Sequence, residues 1–324
     1  MTVLNEETPP GAASPSTGRR PRRRRAAPRD LLTLCRPYQW PKNLLVVPVP
    51  LLHAEAWTAA GLWGLAHALV AFTLASALVY VGNDLADRER DRHDPAKRHR
   101  PLASGRLAPR AALALGALLA AALGCQLALV TPESAWPIGL YLLINLAYSC
   151  GLKQRAVLEV FLVASGFQLR VLAGYLAVDL PVSGWLVTCV FLLCLLFVLG
   201  KRRREVDRSG PAHRAVLRAY TTTFLDQAMA VSAALAAGTF LLFLGDDLGS
   251  RFHTVVPLLL PLVLLGCFRY LWCVTVAGRG ADPVRTLLHD RMLLVDAALC
   301  AAVLALAKLG PADALPLALA GGPG

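Results

Sequence analysis

A chain of 324 residues that is 56% hydrophobic and 17% charged, with a formal net charge of +12, holds more apolar side chain than a soluble domain needs. Its mean hydropathy of +0.52 points to a polytopic membrane protein. The basic residues are clustered and no nucleic-acid-binding motif accompanies them, so the charge speaks for topology signals and anionic ligands and against nucleic acid. The eight cysteines lie almost all in apolar runs and form no CxxC pair. They read as small buried hydrophobes, not as zinc ligands or a disulfide frame.

In chain order, residues 1–29 form a basic tail rich in Pro and Gly with the run Arg19-Arg20-Pro21-Arg22-Arg23-Arg24-Arg25. It is expected to be disordered and to hold the N-terminus on the cytoplasmic side, where it suits anionic lipid. The segment Arg36–Asn43 mixes aromatic and basic residues, as at a bilayer interface. Gln39, Lys42 and Asn43 at 3–4 spacing would equally present donors to a lipid phosphate, and both readings stand.

Apolar runs follow at about 44–56, 62–86, 108–130, 136–152, 156–178, 182–200, 219–245, 254–277 and 290–308. Several are shorter than the roughly 20 residues of an upright span, which implies tilt or partial insertion. The loops alternate in charge. Residues 88–110 hold eight Lys or Arg, 153–155 two, 201–218 seven and 279–291 three, whereas 53–61, 131–135 and 179–181 hold none and 246–253 holds Arg251 alone. The positive-inside rule puts the basic loops in the cytoplasm with the N-terminus. The expectation is an all-α, multi-pass bundle of nine transmembrane helices in the plasma membrane. One catalytic domain would cover 30–310, followed by a short tail, 311–324. A homo-oligomer is compatible with this pattern.

The stretch Tyr80–Gly105 follows an uninterrupted apolar run and carries five carboxylates. If the helix continues through it, Asp84, Asp87 and Asp91 fall within an arc of about 60° and share one face, with Asn83 beside Asp87. Three acids on one face repel unless a cation holds them, and oxygen-only ligands suit a hard ion such as Mg²⁺. The Lys97-Arg98-His99-Arg100 cluster downstream suits phosphate oxygens. The alternative is a mixed-charge surface loop whose charges cancel.

A second constellation is Tyr148 to Arg155 with Lys153, followed by Glu159. Lys153 at a helix end either snorkels or binds a ligand. Glu159 and Arg170 lie inside an apolar span and need partners in the bundle interior or a watery cavity. A third is Lys201-Arg202-Arg203-Arg204-Glu205, a topology signal or a phosphate grip in which Glu205, four residues after Lys201, orders the cations. Acidic and basic groups thus gather at the cytoplasmic mouth of an apolar bundle. A transporter would place ionisable groups at the midplane, and a channel would need pore-lining rings.

The stretch Asn83-Asp84-Leu-Ala-Asp87-Arg-Glu-Arg-Asp91 resembles the first aspartate-rich motif of the UbiA intramembrane prenyltransferase superfamily. Arg36–Leu45, His93–Pro101, Gly200–Arg203 and Leu287–Arg291 are similar to its decaprenyl-phosphate phosphoribosyltransferase branch. The resemblance covers about 36–300. It implies nine transmembrane helices and Mg²⁺-dependent transfer of 5-phosphoribose from phosphoribosyl diphosphate to a polyprenyl phosphate, for arabinan synthesis in the cell envelope. It implies Asn83, Asp84, Asp87 and Asp91 around Mg²⁺. Lys97, Arg98 and Arg100 would meet the diphosphate, Lys153, Lys201 and Arg202 the 5-phosphate, and Lys42 with Asn43 the lipid phosphate. Tyr148, Glu159 and Glu205 complete the implied substrate site. Aromatic prenyltransferases of the superfamily carry a second acidic motif where this chain has Lys201–Glu205, and Glu159 stands where the branch implies Asp. Transfer of an isoprenoid to a small aromatic acceptor and a non-catalytic lipid carrier or scaffold are the alternatives.

Overall fold

The computed structural model describes residues 28–47, 57–95, 97–129, 132–209, 215–280 and 283–309. The described residues begin with α1 (Pro28–Leu34) and a 3₁₀ segment (Pro37–Val46). The long helices α2 (Ala59–Ala86), α4 (Pro109–Leu127), α5 (Pro132–Ser149), α6 (Leu158–Ala177), α7 (Gly184–Ser209), α8 (Thr222–Leu248), α9 (Phe252–Thr275) and α11 (Arg291–Leu309) follow, with short α3 (Arg88–His93) and α10 (Pro283–His289) between them. Two starts are capped as their sequences dictate. The Thr58 hydroxyl accepts from Gly61 N at 3.0 Å and opens α2; Thr221 accepts from Phe224 N at 3.1 Å and opens α8.

Six of these helices, α2, α4, α6, α7, α8 and α9, are long and apolar enough to cross a membrane. α5 and α11, 18 and 19 residues long, are not among the six although α4 is no longer than α11: α5 carries Glu133, Pro137 and Asn145, and α11 carries Arg291, Asp296 and Lys308. The expected first span, 44–56, has no counterpart as a long helix: residues 44–46 close the 3₁₀ segment, and 48–56 lie outside the described residues. Nine spans are therefore not reached among them. The expected tails also lie outside, apart from Pro28 and Arg29, which open α1. The elements among the described residues are all helical, and the chain is an integral membrane protein.

Lipid tails are as apolar as leucine, so helix association rests on close packing and polar contacts. Small side chains line the seams: Ala68, Ala71 and Ala75 of α2 are buried against α5 and α6 together with Phe72, Ile138, Tyr141 and Leu169. At Gly64 a Cβ would stand 2.1 Å from the Ala177 carbonyl oxygen, so any side chain there would force α2 and α6 apart. Leu113, Leu118, Leu143, Leu235 and Phe268 are exposed, as lipid-facing positions should be. α6 is the centre, packed on α2, α5, α7 and the 3₁₀ segment.

The α9–α11 corner is fastened by Asp290, which is 2% exposed. Its carboxylate accepts from Arg269 Nε and Nη2 at 3.1 and 2.9 Å, from Arg279 Nη1 at 3.2 Å, and from Leu293 N at 3.2 Å, capping α11. The Arg269 hydrogen bonds hold the Asp290 carboxyl down at about 2, against the opposing pull of burial. A folded value below the unfolded one gives stability that is present above the ordinary 3.8 and disappears as pH falls toward 2. Asp290→Asn should therefore lower stability at neutral pH by about 2 kcal/mol. Thermal melts in detergent at pH 7 and pH 3 check this, the difference from wild type narrowing at the lower pH.

Candidate active site

The acidic stretch is built by a helix that nearly continues. α2 stops at Ala86 because Asp87 takes φ −92° and ψ 3°, yet the ladder barely breaks. Asp87 N donates to Asn83 O at 2.9 Å and Asp91 N to Asp87 O at 2.8 Å, and α3 resumes at Arg88. Helical phase survives, and Asp84 and Asp91 are both buried, at 4% and 3% exposure.

Each acid is matched by a cation. Arg36 Nη2 lies 2.5 Å from Asp84 Oδ1; Arg100 Nη1 bridges Asp84 Oδ1 at 3.1 Å and Asp91 Oδ2 at 2.7 Å. Lys97 Nζ stands 3.7 Å from Asp91 and 3.1 Å from Asp94. Lys153 arrives from the α5–α6 loop and meets both Asp87 oxygens, at 2.9 and 3.0 Å. Pairing of this kind is what makes two carboxylates tolerable at nearly full burial.

These groups surround a cavity of about 790 Å³, within the usual range for small-molecule sites. Of the expected residues, Asn83, Asp87, Asp91, Lys97, Arg100, Tyr148 and Lys153 line it, while Asp84 sits beneath, reached through Arg36 and Arg100. Ser149 also lines it and donates to Asn83 Oδ1. Arg98 is exposed and does not line it. Arg36 and His93 line it too, and residue spacing had not singled them out for chemistry. The signal at Arg36 was a charge in front of Pro37, at a backbone φ of 49°.

Glu159 and Arg202 are brought together one layer away. Glu159 is 0% exposed, and Arg202 grips it with a fork, Nε–Oε1 2.6 Å and Nη2–Oε2 2.8 Å, while Nη1 holds Glu205 at 2.5 Å. Glu205 thus pairs with Arg202, three residues away, and not with Lys201 as the spacing suggested. Lys201 is exposed, and none of the three lines the cavity. Asn43, expected among the phosphate donors, is instead 1% exposed and accepts from Arg170 Nε at 2.8 Å. Its neighbour Lys42 is exposed and does not line the cavity. Arg170 finds its partners among neutral groups: Ser76 and Tyr141 hydroxyls at 3.3 Å, the Gly166 carbonyl, and the ring faces of Phe72, Tyr141 and Phe167 at 5.3, 4.7 and 5.4 Å. Such faces stand in for a counterion.

The donor set fits Mg²⁺ by its chemistry: the Asn83, Asp87 and Asp91 side chains offer oxygen, the hard ligand that ion requires, at one cavity wall. Among the described residues no three acids converge as a ready-made cage. Mg²⁺ in phosphate sites is ordinarily held through one or two carboxylates with substrate phosphates supplying further oxygens, so none is needed.

The model of the UbiA prenyltransferase family matches residues 46–295, an interval that contains the acidic stretch, Lys153, Glu159 and the end of α7. The chain belongs to the UbiA prenyltransferase family. It is 32% identical over 265 residues to the decaprenyl-phosphate phosphoribosyltransferase of Mycobacterium tuberculosis, covering 80% of this chain and 87% of that one. It is also 32% identical over 288 residues to the Corynebacterium glutamicum enzyme of the same name, covering 84% and 86%. A UbiA homologue from Archaeoglobus fulgidus, solved with DMAPP and Mg²⁺, superposes with a TM-score of 0.64 at 18% identity, over 85% of this chain and 99% of that one. That likeness establishes the UbiA fold. In this UbiA chain the end of α7 is basic, Lys201-Arg202-Arg203-Arg204, and these cations are paired within the protein: Arg204 with Asp207 of the same helix at 2.6 Å and Arg203 with Asp226 of α8 at 2.8 Å.

Proposed function

We propose that this protein transfers 5-phosphoribose from phosphoribosyl diphosphate to a polyprenyl phosphate, at the cytoplasmic face of the plasma membrane. The observation that carries the reading is one cavity in which a single acidic stretch meets an excess of cations, Arg36, Lys97, Arg100 and Lys153 among them. One acidic stretch suits one diphosphate, and the additional cations suit a donor bearing a further phosphate and an acceptor that is itself a phosphate. The names of the M. tuberculosis and C. glutamicum relatives support the same substrates. The basic residues flanking the cavity support a cytoplasmic mouth.

Asn83, Asp87 and Asp91, with Asp84 behind them, would hold Mg²⁺, which neutralises the diphosphate and so improves it as a leaving group. Lys97 and Arg100 receive diphosphate oxygens, and Lys153 the 5-phosphate. Ribose C1 passes through an oxocarbenium-like state, as glycosyl transfer does generally. An oxygen of the lipid phosphate forms the new bond to C1 as the bond to diphosphate breaks. The acceptor is already anionic at neutral pH, so no strong general base is required. A single displacement inverts C1 and gives a β-linked product from the α-donor.

The test mixes purified protein, Mg²⁺ and two labelled donors, phosphoribosyl diphosphate and an isoprenyl diphosphate, with polyprenyl phosphate and a small aromatic acceptor. Phosphoribosyl lipid is the expected product. Prenylated aromatic product in its place overturns the reading.

A further inference from the structure

Lys153 reaches Asp87 from a short loop whose own turns are closed by Gln154 N donating to Gly151 O at 3.0 Å and Arg155 N to Leu152 O at 3.0 Å. α5 ends at Ser149, Gly151 turns the chain at φ 141°, Leu152–Gln154 make one 3₁₀ turn, and α6 begins at Leu158. Immediately before α6, Val157 sits at φ 66° and ψ −54°, with Leu158 N donating to Ala156 O at 2.8 Å. This is a γ-turn of the rare, strained kind, centred on a β-branched residue. Strain of this kind persists only where surrounding contacts over-determine the backbone.

The contact that does so comes from far along the chain. The Tyr220 hydroxyl, 5% exposed, accepts from Val157 N at 2.7 Å. That N–H belongs to the start of α6, where backbone donors otherwise lack partners. The same hydroxyl reaches Glu159 Oε1 at 3.5 Å, a contact too long to contribute much. Burial raises the Tyr220 pKa from its ordinary 10.0, so the phenol is neutral at physiological pH. The ring packs in the core with Val216, Leu217 and Leu225 and stacks on Phe224. Tyr220 is therefore a rigid peg between α8 and the first turn of α6. The 3₁₀ segment Ala215–Ala219 beside it packs on the Leu152–Gln154 turn and brings Val216 to the cavity wall.

We propose that Tyr220 is a positioning residue: by pinning the Val157 turn it fixes Lys153 for the donor phosphate. This rests on the phosphoribosyl-donor reading for the identity of the ligand, but its test uses whichever phosphorylated donor the competition assay selects. Failure of that reading therefore changes the donor, not the experiment.

The experiment is a double-mutant cycle on donor KM. Tyr220→Phe removes the hydroxyl and keeps the ring; donor KM should rise about tenfold with kcat unchanged. Lys153→Met should raise it about a hundredfold. The double variant should match Lys153→Met alone, because a lysine that is absent cannot be misplaced. A merely structural Tyr220 would instead lower the active fraction, hence kcat, at unchanged KM. Val157→Gly tests the same turn without touching Tyr220: glycine adopts φ 66° without strain and keeps the N–H, so alone it should leave donor KM near wild type. Combined with Tyr220→Phe it should bring the raised KM back toward wild type, and by relieving the strain it covers the case in which Tyr220→Phe alone does not fold. Multiplicative KM effects in the Tyr220–Lys153 cycle, an unchanged KM in Tyr220→Phe, or no rescue by Val157→Gly overturn the proposal.

Discussion

Asp84→Asn is expected to cut kcat/KM by about a thousandfold or more, a loss of roughly 4 kcal/mol of transition-state stabilisation. Asparagine keeps the shape and removes the charge. Arg36 at 2.5 Å and Arg100 at 3.1 Å would then share a neutral amide at a site only 4% exposed. Removing one partner of a buried pair costs about 3–5 kcal/mol, because the remaining charge stays buried without compensation. Arg100 also serves Asp91, so its movement disturbs both ends of the acidic stretch. The comparison that gives the number meaning is Asp30→Asn. That carboxylate meets Arg106 at 3.2 Å, and the arginine side chain is 48% exposed. Exposed pairs contribute about 0–1 kcal/mol, so Asp30→Asn should leave transfer and melting temperature close to wild type. Transfer assays across a Mg²⁺ titration, with melts on the same preparations, check both variants. Full Mg²⁺-dependent activity in Asp84→Asn would remove Asp84 from the site.

The acidic face was legible because it depends on local periodicity alone. Asp84, Asp87 and Asp91 are spaced for one helix face, and the backbone departs from helix at Asp87 without losing phase. Membrane character and most spans were legible for the same reason, since hydropathy is a running property of the chain. What local spacing did not show is long-range pairing. Asn43 looked like a phosphate donor among Gln39 and Lys42, but its Nδ2 donates to Thr73 Oγ1 at 3.3 Å and its oxygen accepts from Arg170, 127 residues later. The i, i+4 spacing of Lys201 and Glu205 was real, yet Arg202 takes Glu205, because Glu159 on the neighbouring helix already points its guanidinium that way. Arg36 was hidden by its setting: beside Tyr38 and Trp40 a basic residue reads as an interface anchor, whereas its guanidinium turns inward over Tyr80, 4.9 Å from the ring centroid, onto Asp84. Tyr220 reads from sequence as no more than a polar group beside Arg218 at a cytoplasmic helix end, since nothing local to residues 218–220 marks the strained turn at Val157 that it supports.

Glu159→Ala is expected to be the most damaging change to the fold among the candidate-site residues. Glu159 is wholly buried and accepts two hydrogen bonds from Arg202, which is itself 5% exposed. Truncation leaves that guanidinium with Glu205 alone and opens a void between α6 and α7, a cost of about 3–5 kcal/mol. Glu159→Asp keeps the charge one methylene short of Arg202, so it should lose one arm of the fork and about 1 kcal/mol. The decisive variant changes both partners. Glu159→Leu with Arg202→Met replaces the buried ion pair by apolar groups of similar size, an exchange that is often neutral or stabilising by about 1–4 kcal/mol. Its melting temperature in detergent should return to that of wild type. Neither side chain lines the cavity, so transfer should stay within about tenfold of wild type once the fold is restored. A restored melting temperature with transfer reduced about a thousandfold would instead put Arg202 on the donor phosphate, as the sequence suggested. The two outcomes differ by roughly 3 kcal/mol in transition-state free energy, well outside assay error.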